Sequence, residues 1–87
     1  MVVEEYERRV KEIEEKLPWK KIALHLMFGE MGDPNVDPIA AIILEYKTLK
    51  LELEGMREFP ENWKGKESHV ETHFRALEWL LGGVNGN

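Results

Sequence analysis

The sequence predicts an all-α protein: a compact, irregular four-helix bundle that self-associates. Three observations predict it. Apolar residues recur at alternating spacings of three and four in four separate segments. Proline, glycine and aspartate punctuate those segments where helices begin or stop. No segment alternates apolar and polar residues in the period of a strand. A chain of 87 residues makes one domain. The predicted helical domain covers residues 1–82, and 83–87 read as a flexible C-terminal tail.

The first helix is expected over 3–17. Val3, Tyr6, Val10, Ile13 and Leu17 line one narrow stripe. The remaining faces carry Glu4–Arg8, Glu5–Arg9, Glu7–Lys11 and Glu12–Lys16, each an acid four residues before a base, the favourable order on a helix. Pro18 interrupts the chain and can open the next helix. Helix two then runs from about Trp19 to Phe28, with Gly29 or Gly32 available as a left-handed cap. In "GDPNVDP", Asp37 is a good N-cap, followed by Pro38 at the first helical position. Helix three continues to about Glu54, with Ile39, Ile42, Ile43, Tyr46, Leu49 and Leu53 on one side, and Gly55 ends it. A longer connection follows, in which Phe59, Pro60 and Trp63 are expected to fold back on the bundle, because long bare loops are uncommon in compact domains. "SHVE" predicts a capping box, with Ser68 and Glu71 each satisfying a free backbone N–H at the start of helix four. Val70, Phe74, Leu77 and Leu81 form its stripe, and Gly82 and Gly83 stop it.

Composition excludes several classes. The chain has no cysteine, so neither a disulfide nor a thiolate zinc site supports it, and a cytoplasmic setting fits. The acidic start "MVVEEYERR" lacks the apolar region of a signal peptide, and the most apolar run, "IALHLMF", is far shorter than a membrane span. A net charge of −5 argues against duplex binding, which needs a basic face. The absence of glutamine beside abundant Glu, Lys and Arg resembles the composition of thermophile proteins.

Apolar side chains exceed what one core face per helix requires. On helix two, Trp19, Ile22, Ala23 and Leu26 share one side, while Leu24, Phe28 and Met31 share another, with Met27 between. Such a helix is covered either by its three neighbours or by another molecule. Helix three has a second stripe of Ala40, Leu44 and Leu51, and helix four places Trp79 nearly opposite Val70 and Leu77. Contiguous apolar patches mark contacts with other molecules, and Trp and Met concentrate at their centres. Trp19, Met27, Phe28, Leu44, Leu51 and Trp79 are therefore the expected interface residues. The expected partner is the protein itself or another protein.

Catalytic and ligand motifs are sparse. Asp33, Asn35 and Asp37 match the first positions of an EF-hand loop, but Pro38 occupies the glycine position and Leu44 the place of the bidentate Glu, so turn chemistry and an N-cap are expected instead. His69 and His73 are four apart and could share a metal with His25, yet "HVETH" is not HExxH, and a hydrogen-bonded histidine at the core is the expectation for His73. Glu12 and Glu15 resemble the ExxE spacing of helical nucleotide pyrophosphatases, without a second matching motif. Ser68 is the sole serine, and the glycines form no phosphate-cradling loop. The stretch "LPWKKIALHL" is similar to the first helix of a helix-turn-helix domain. That similarity implies a small dimeric DNA-binding regulator as the alternative, although the connection to helix three is longer than that family's turn and helix three offers only Lys47 and Lys50 as bases. The reading is a non-enzymatic interaction or assembly protein with no cofactor, no metal, no small-molecule substrate and no membrane partner.

Overall fold

A computed structural model describes residues 3–28 and 32–85. Four α-helices follow one another, α1 (Val3–Lys16), α2 (Trp19–Met27), α3 (Pro38–Glu58) and α4 (Glu67–Asn85), with a short 3₁₀ turn at Pro60–Trp63. There is no strand among the described residues. None of the helices is long and apolar enough to cross a membrane.

The core is the set of stripes the periodicity marks out. Val10, Ile13 and Leu17 of the first segment meet Ile42, Leu49, Leu53 and Met56 of α3 and Val70, Phe74, Leu77 and Leu81 of α4. Phe74, Ile42, Leu49 and Leu77 are fully buried. The long α3 packs against each of the other three helices, and α1 also meets α4. Tyr6 stacks on Phe74, with ring centroids 5.9 Å apart. Among the described residues, helix α2 contributes Ile22 to this core and leans chiefly on α3.

Three boundaries differ from expectation. α3 runs through Gly55 to Glu58, and the Phe59 N–H closes on the Gly55 carbonyl at 2.7 Å. Gly55 serves packing, not termination: a Cβ there would lie 2.8 Å from Trp63 Nε1. Trp63 does fold back onto the core, whereas Phe59 and Pro60 stay exposed. α4 starts at Glu67, so Ser68 lies inside the helix and the capping box does not form; the His69 N–H bonds the Lys66 carbonyl, and Glu71 turns to α1 instead. α4 also continues over Gly82 and Gly83 to Asn85, because Leu81 before those glycines and Val84 beyond them still pack on the core. Of the expected tail, 86–87 lie outside the described residues. Gly29 lies outside them too, Gly32 does not take the left-handed conformation, and among the described residues the left-handed glycine is Gly65 (φ 82°), in the turn before α4.

The expected ladder of ion pairs along α1 gives way to bridges between helices. Arg9 forks onto Glu71 of α4 at 2.6 and 3.3 Å and lies over the Phe74 ring, 4.1 Å from its centroid. Glu7 pairs with Arg57 of α3, and Glu14 accepts the Tyr46 hydroxyl and sits 3.8 Å from Lys50. Arg8 stays within the helix, between Glu5 and Glu12. Partly desolvated charges between helices attract more strongly than fully hydrated neighbours on one helix.

Candidate interaction surface

Helix α2 is held at three points. The Trp19 indole N–H donates to the Glu14 carbonyl at 2.8 Å, and its ring meets Tyr46 edge-on at 6.2 Å. Ile22 enters the core. At the other end, His25 Nε2 lies 2.8 Å from Asp37 Oδ2, and Nδ1 lies 3.1 Å from the Lys21 carbonyl. Both partners accept hydrogen bonds. Asp37 also caps α3, its Oδ1 taking the Ile39 N–H at 3.0 Å. The His25 hydrogen bond, helped by that backbone donor, holds the Asp37 carboxyl below the ordinary aspartate range.

These ties fix one narrow inner side, near Ile22 and His25. Everything else on α2 points outward. Trp19 is 51% exposed, Met27 77% and Phe28 70%, with Leu24 and Leu26 more than half exposed beside them. Burial by three neighbouring helices does not occur. On α3, Leu44 (52%) and Leu51 (67%) are exposed, while Ala40, grouped with them by periodicity, is buried. On α4, Trp79 is 78% exposed. All six expected interface residues therefore lie on the surface. Leu24, Leu26 and Val36 join them; no periodicity singles out Leu24 and Leu26, because Lys20, Lys21 and His25 are too scattered around the helix to mark an inner side.

Leu24, Phe28, Leu44 and Trp79 line shallow clefts around the N-terminal half of α3. One shallow cleft is lined by Lys21, Leu24, His25, Phe28 and Ile39, and a second by His25, Gly32, Pro34, Ala40, Ile43, Leu44 and Lys47. A third brings Pro38 beside Trp79, Leu80, Gly82, Gly83 and Val84. No carboxylate lines the first two clefts among the described residues, although the chain has 17 acidic residues. In those two clefts apolar surface is rimmed by Lys21 and Lys47, whereas Glu78 borders the third.

The chain exposes 6144 Å². A compact monomer of 10.2 kDa exposes about 5,300 Å². The surplus, roughly 800 Å², belongs to the chain as a whole, whose extents are 39 × 26 × 20 Å. The radius of gyration, 13.7 Å, likewise exceeds the roughly 12 Å expected for this length.

The other candidate residues are occupied structurally. Asp33 Oδ1 accepts the Asn35 N–H at 2.9 Å in an Asx turn, so the partial EF-hand match is turn chemistry plus the Asp37 cap. His73 is half-buried at the core's edge, with Nδ1 2.5 Å from Glu45 Oε2. Its Nε2 lies 3.1 Å from Glu52 Oε2, close enough for attraction but misdirected for a hydrogen bond, which leaves that buried oxygen unsatisfied. His69 is exposed, and Glu71 serves Arg9, so the three histidines do not converge. Among the described residues no cluster of His, Asp and Glu is arranged to hold a metal ion. Glu12 pairs with Arg8 at 3.4 Å. Between α2 and α3, nine residues (29–37) separate Met27 with its cap Phe28 from Pro38, and the exposed side of α3 shows Leu44 and Leu51 rather than a row of bases.

No family model, curated protein or solved structure matches this chain.

Proposed function

We propose that this chain is a non-enzymatic interaction or assembly protein. It works by covering its outward apolar helix faces with a second protein molecule, either another copy of itself or a different partner. One observation carries the reading. The core is complete without Trp19, Met27, Phe28, Leu44, Leu51 and Trp79, yet these six side chains stand more than half exposed. Large apolar groups kept in water raise the free energy of the isolated molecule at about 25 cal/mol per Å² of apolar surface. Contact with another protein removes that cost. Lys21 and Lys47, which line the clefts beside these side chains, suit a partner that offers carboxylates there.

The test is association with helicity monitored in parallel. Leu44→Asp or Trp79→Ala weakens self-association, or co-purification with a partner from the native host, while the far-ultraviolet circular dichroism stays that of the parent. Collapse of helicity in either variant assigns those residues to the molecule's own core and ends the proposal.

A further inference from the structure

We infer that the outward face of α2 is an isologous dimer interface, in which two copies of α2 cross antiparallel on a two-fold axis close to Ala23. The inference rests on the association reading above and names the occupant of the face: a second copy of this chain.

Charge carries the choice. Helix N-termini bear the positive end of the helix dipole and favour acids. The first turn of α2 has no acid, and Lys20 and Lys21 stand there instead, both exposed and, among the described residues, without a carboxylate partner. Within one molecule the placement is unfavourable. In an antiparallel pair it becomes favourable, because each lysine pair then lies over the C-terminal, negative end of the partner's α2. Asp33, exposed in the turn that follows, adds to that negative end. A local rule broken in the monomer and mended in the dimer is what an interface predicts.

Shape agrees. α2 has nine residues, about 13.5 Å of helix, and its middle outward positions are Ala23 and Leu24, both exposed. A small residue at the crossing lets two helices approach closely. With the axis there, Lys20 of one copy lies over Met27 of the other at both ends, and Trp19 and Phe28 border the two flanks of the seam. A two-fold axis makes each contact twice.

The chain has no cysteine, so introduced thiols report cleanly. Ala23→Cys, at the axis, is expected to form an intermolecular disulfide on mild oxidation, whereas Ser68→Cys, exposed at the start of α4, is not. Lys20→Glu with Lys21→Glu supplies the second arm. Acids there suit the isolated helix, so thermal stability of the dilute monomer holds or rises. Dimer affinity falls by about tenfold or more, because the acids now face the partner's negative helix end. Light scattering on the parent is expected to give twice the 10.2 kDa protomer mass.

A doubled mass in which Ala23→Cys does not cross-link, or in which the glutamates leave affinity unchanged, overturns the α2 axis and leaves the association reading intact. A mass of one protomer at millimolar concentration overturns the inference, and association then requires a different protein. Sedimentation of that monomer with phosphatidylserine vesicles would assign the face to a membrane and overturn both.

Discussion

Leu49 and Leu51 sit two residues apart on α3 and differ in one respect that decides their energetics. Leu49 is fully buried and Leu51 is 67% exposed. Truncating each to alanine removes the same three carbons. At Leu49 the lost transfer free energy, about 0.8 kcal/mol per methylene, combines with a cavity that packed neighbours cannot fill. The expected cost is about 3–5 kcal/mol. Leu51→Ala leaves no cavity and gains a little helix propensity, so the expected change is within about 0.5 kcal/mol. A domain of this size has roughly 4–13 kcal/mol of stability. Leu49→Ala therefore removes a large share of it, and at about 4–8 °C per kcal/mol lowers Tm by at least about 12 °C. Chemical denaturation in the dilute, dissociated regime measures both variants without contribution from association. Equal losses in the two variants would refute the burial pattern of α3. A large loss confined to Leu51 would mean that α3 is rotated about its axis.

Other outcomes follow from particular contacts. Gly55→Ala pushes a methyl to 2.8 Å from Trp63 Nε1, so overpacking of about 1–3 kcal/mol outweighs the roughly 1 kcal/mol of helix propensity gained; Tm falls, and it recovers relative to Trp63→Ala when the two changes are combined. The Arg9 fork holds the Glu71 carboxyl below the ordinary glutamate range. Stability from that pair is present above the unfolded pKa and lost as pH falls through the lower folded value, so Glu71→Gln flattens the acid side of a pH–stability curve. Burial, with the Glu14 carboxylate, pushes the Tyr46 hydroxyl up to about 12. Its contribution is present below the unfolded value near 10 and is lost as pH rises from there toward the folded value. Phenolate absorbance should show a tyrosine titrating near that raised value, absent in Tyr46→Phe, and a single transition near the ordinary tyrosine pKa would contradict it.

The four helices and the core were legible because their signal is periodic. Val10, Ile13, Ile42, Leu49, Leu53, Phe74 and Leu77 fall on stripes that burial then follows. Helix ends were less legible, because glycine has more than one use. Gly55 permits Trp63 to approach, and Gly82 and Gly83 are carried inside α4 by packing on either side. Ser68 carried the signature of a cap, but Glu71 found a stronger partner in Arg9, one helix away and invisible to a local pattern. The same non-local pairing took Glu7 from Lys11 and Arg9 from Glu5.

The candidate surface was legible as an excess but not as a place. Counting apolar residues shows that α2, α3 and α4 carry more than one face each. It does not show that Ile22 and His25 set the inner side of α2, because that depends on Asp37 capping α3 and holding His25 at once. Ala40 shows the limit from the other direction: periodicity groups it with Leu44 and Leu51, but the clefts beside α2 enclose it.

The most direct measurement of the central claim follows Met27 and Met56 together in one dilution series, by nuclear magnetic resonance of their labelled methyl groups. Met27 is 77% exposed and Met56 is 2% exposed. If the outer face of α2 closes against a second copy, the Met27 resonance shifts progressively from micromolar to millimolar protein while Met56 stays fixed. A Met27 resonance that is unchanged throughout, with the narrow lines of a 10.2 kDa monomer, would contradict it.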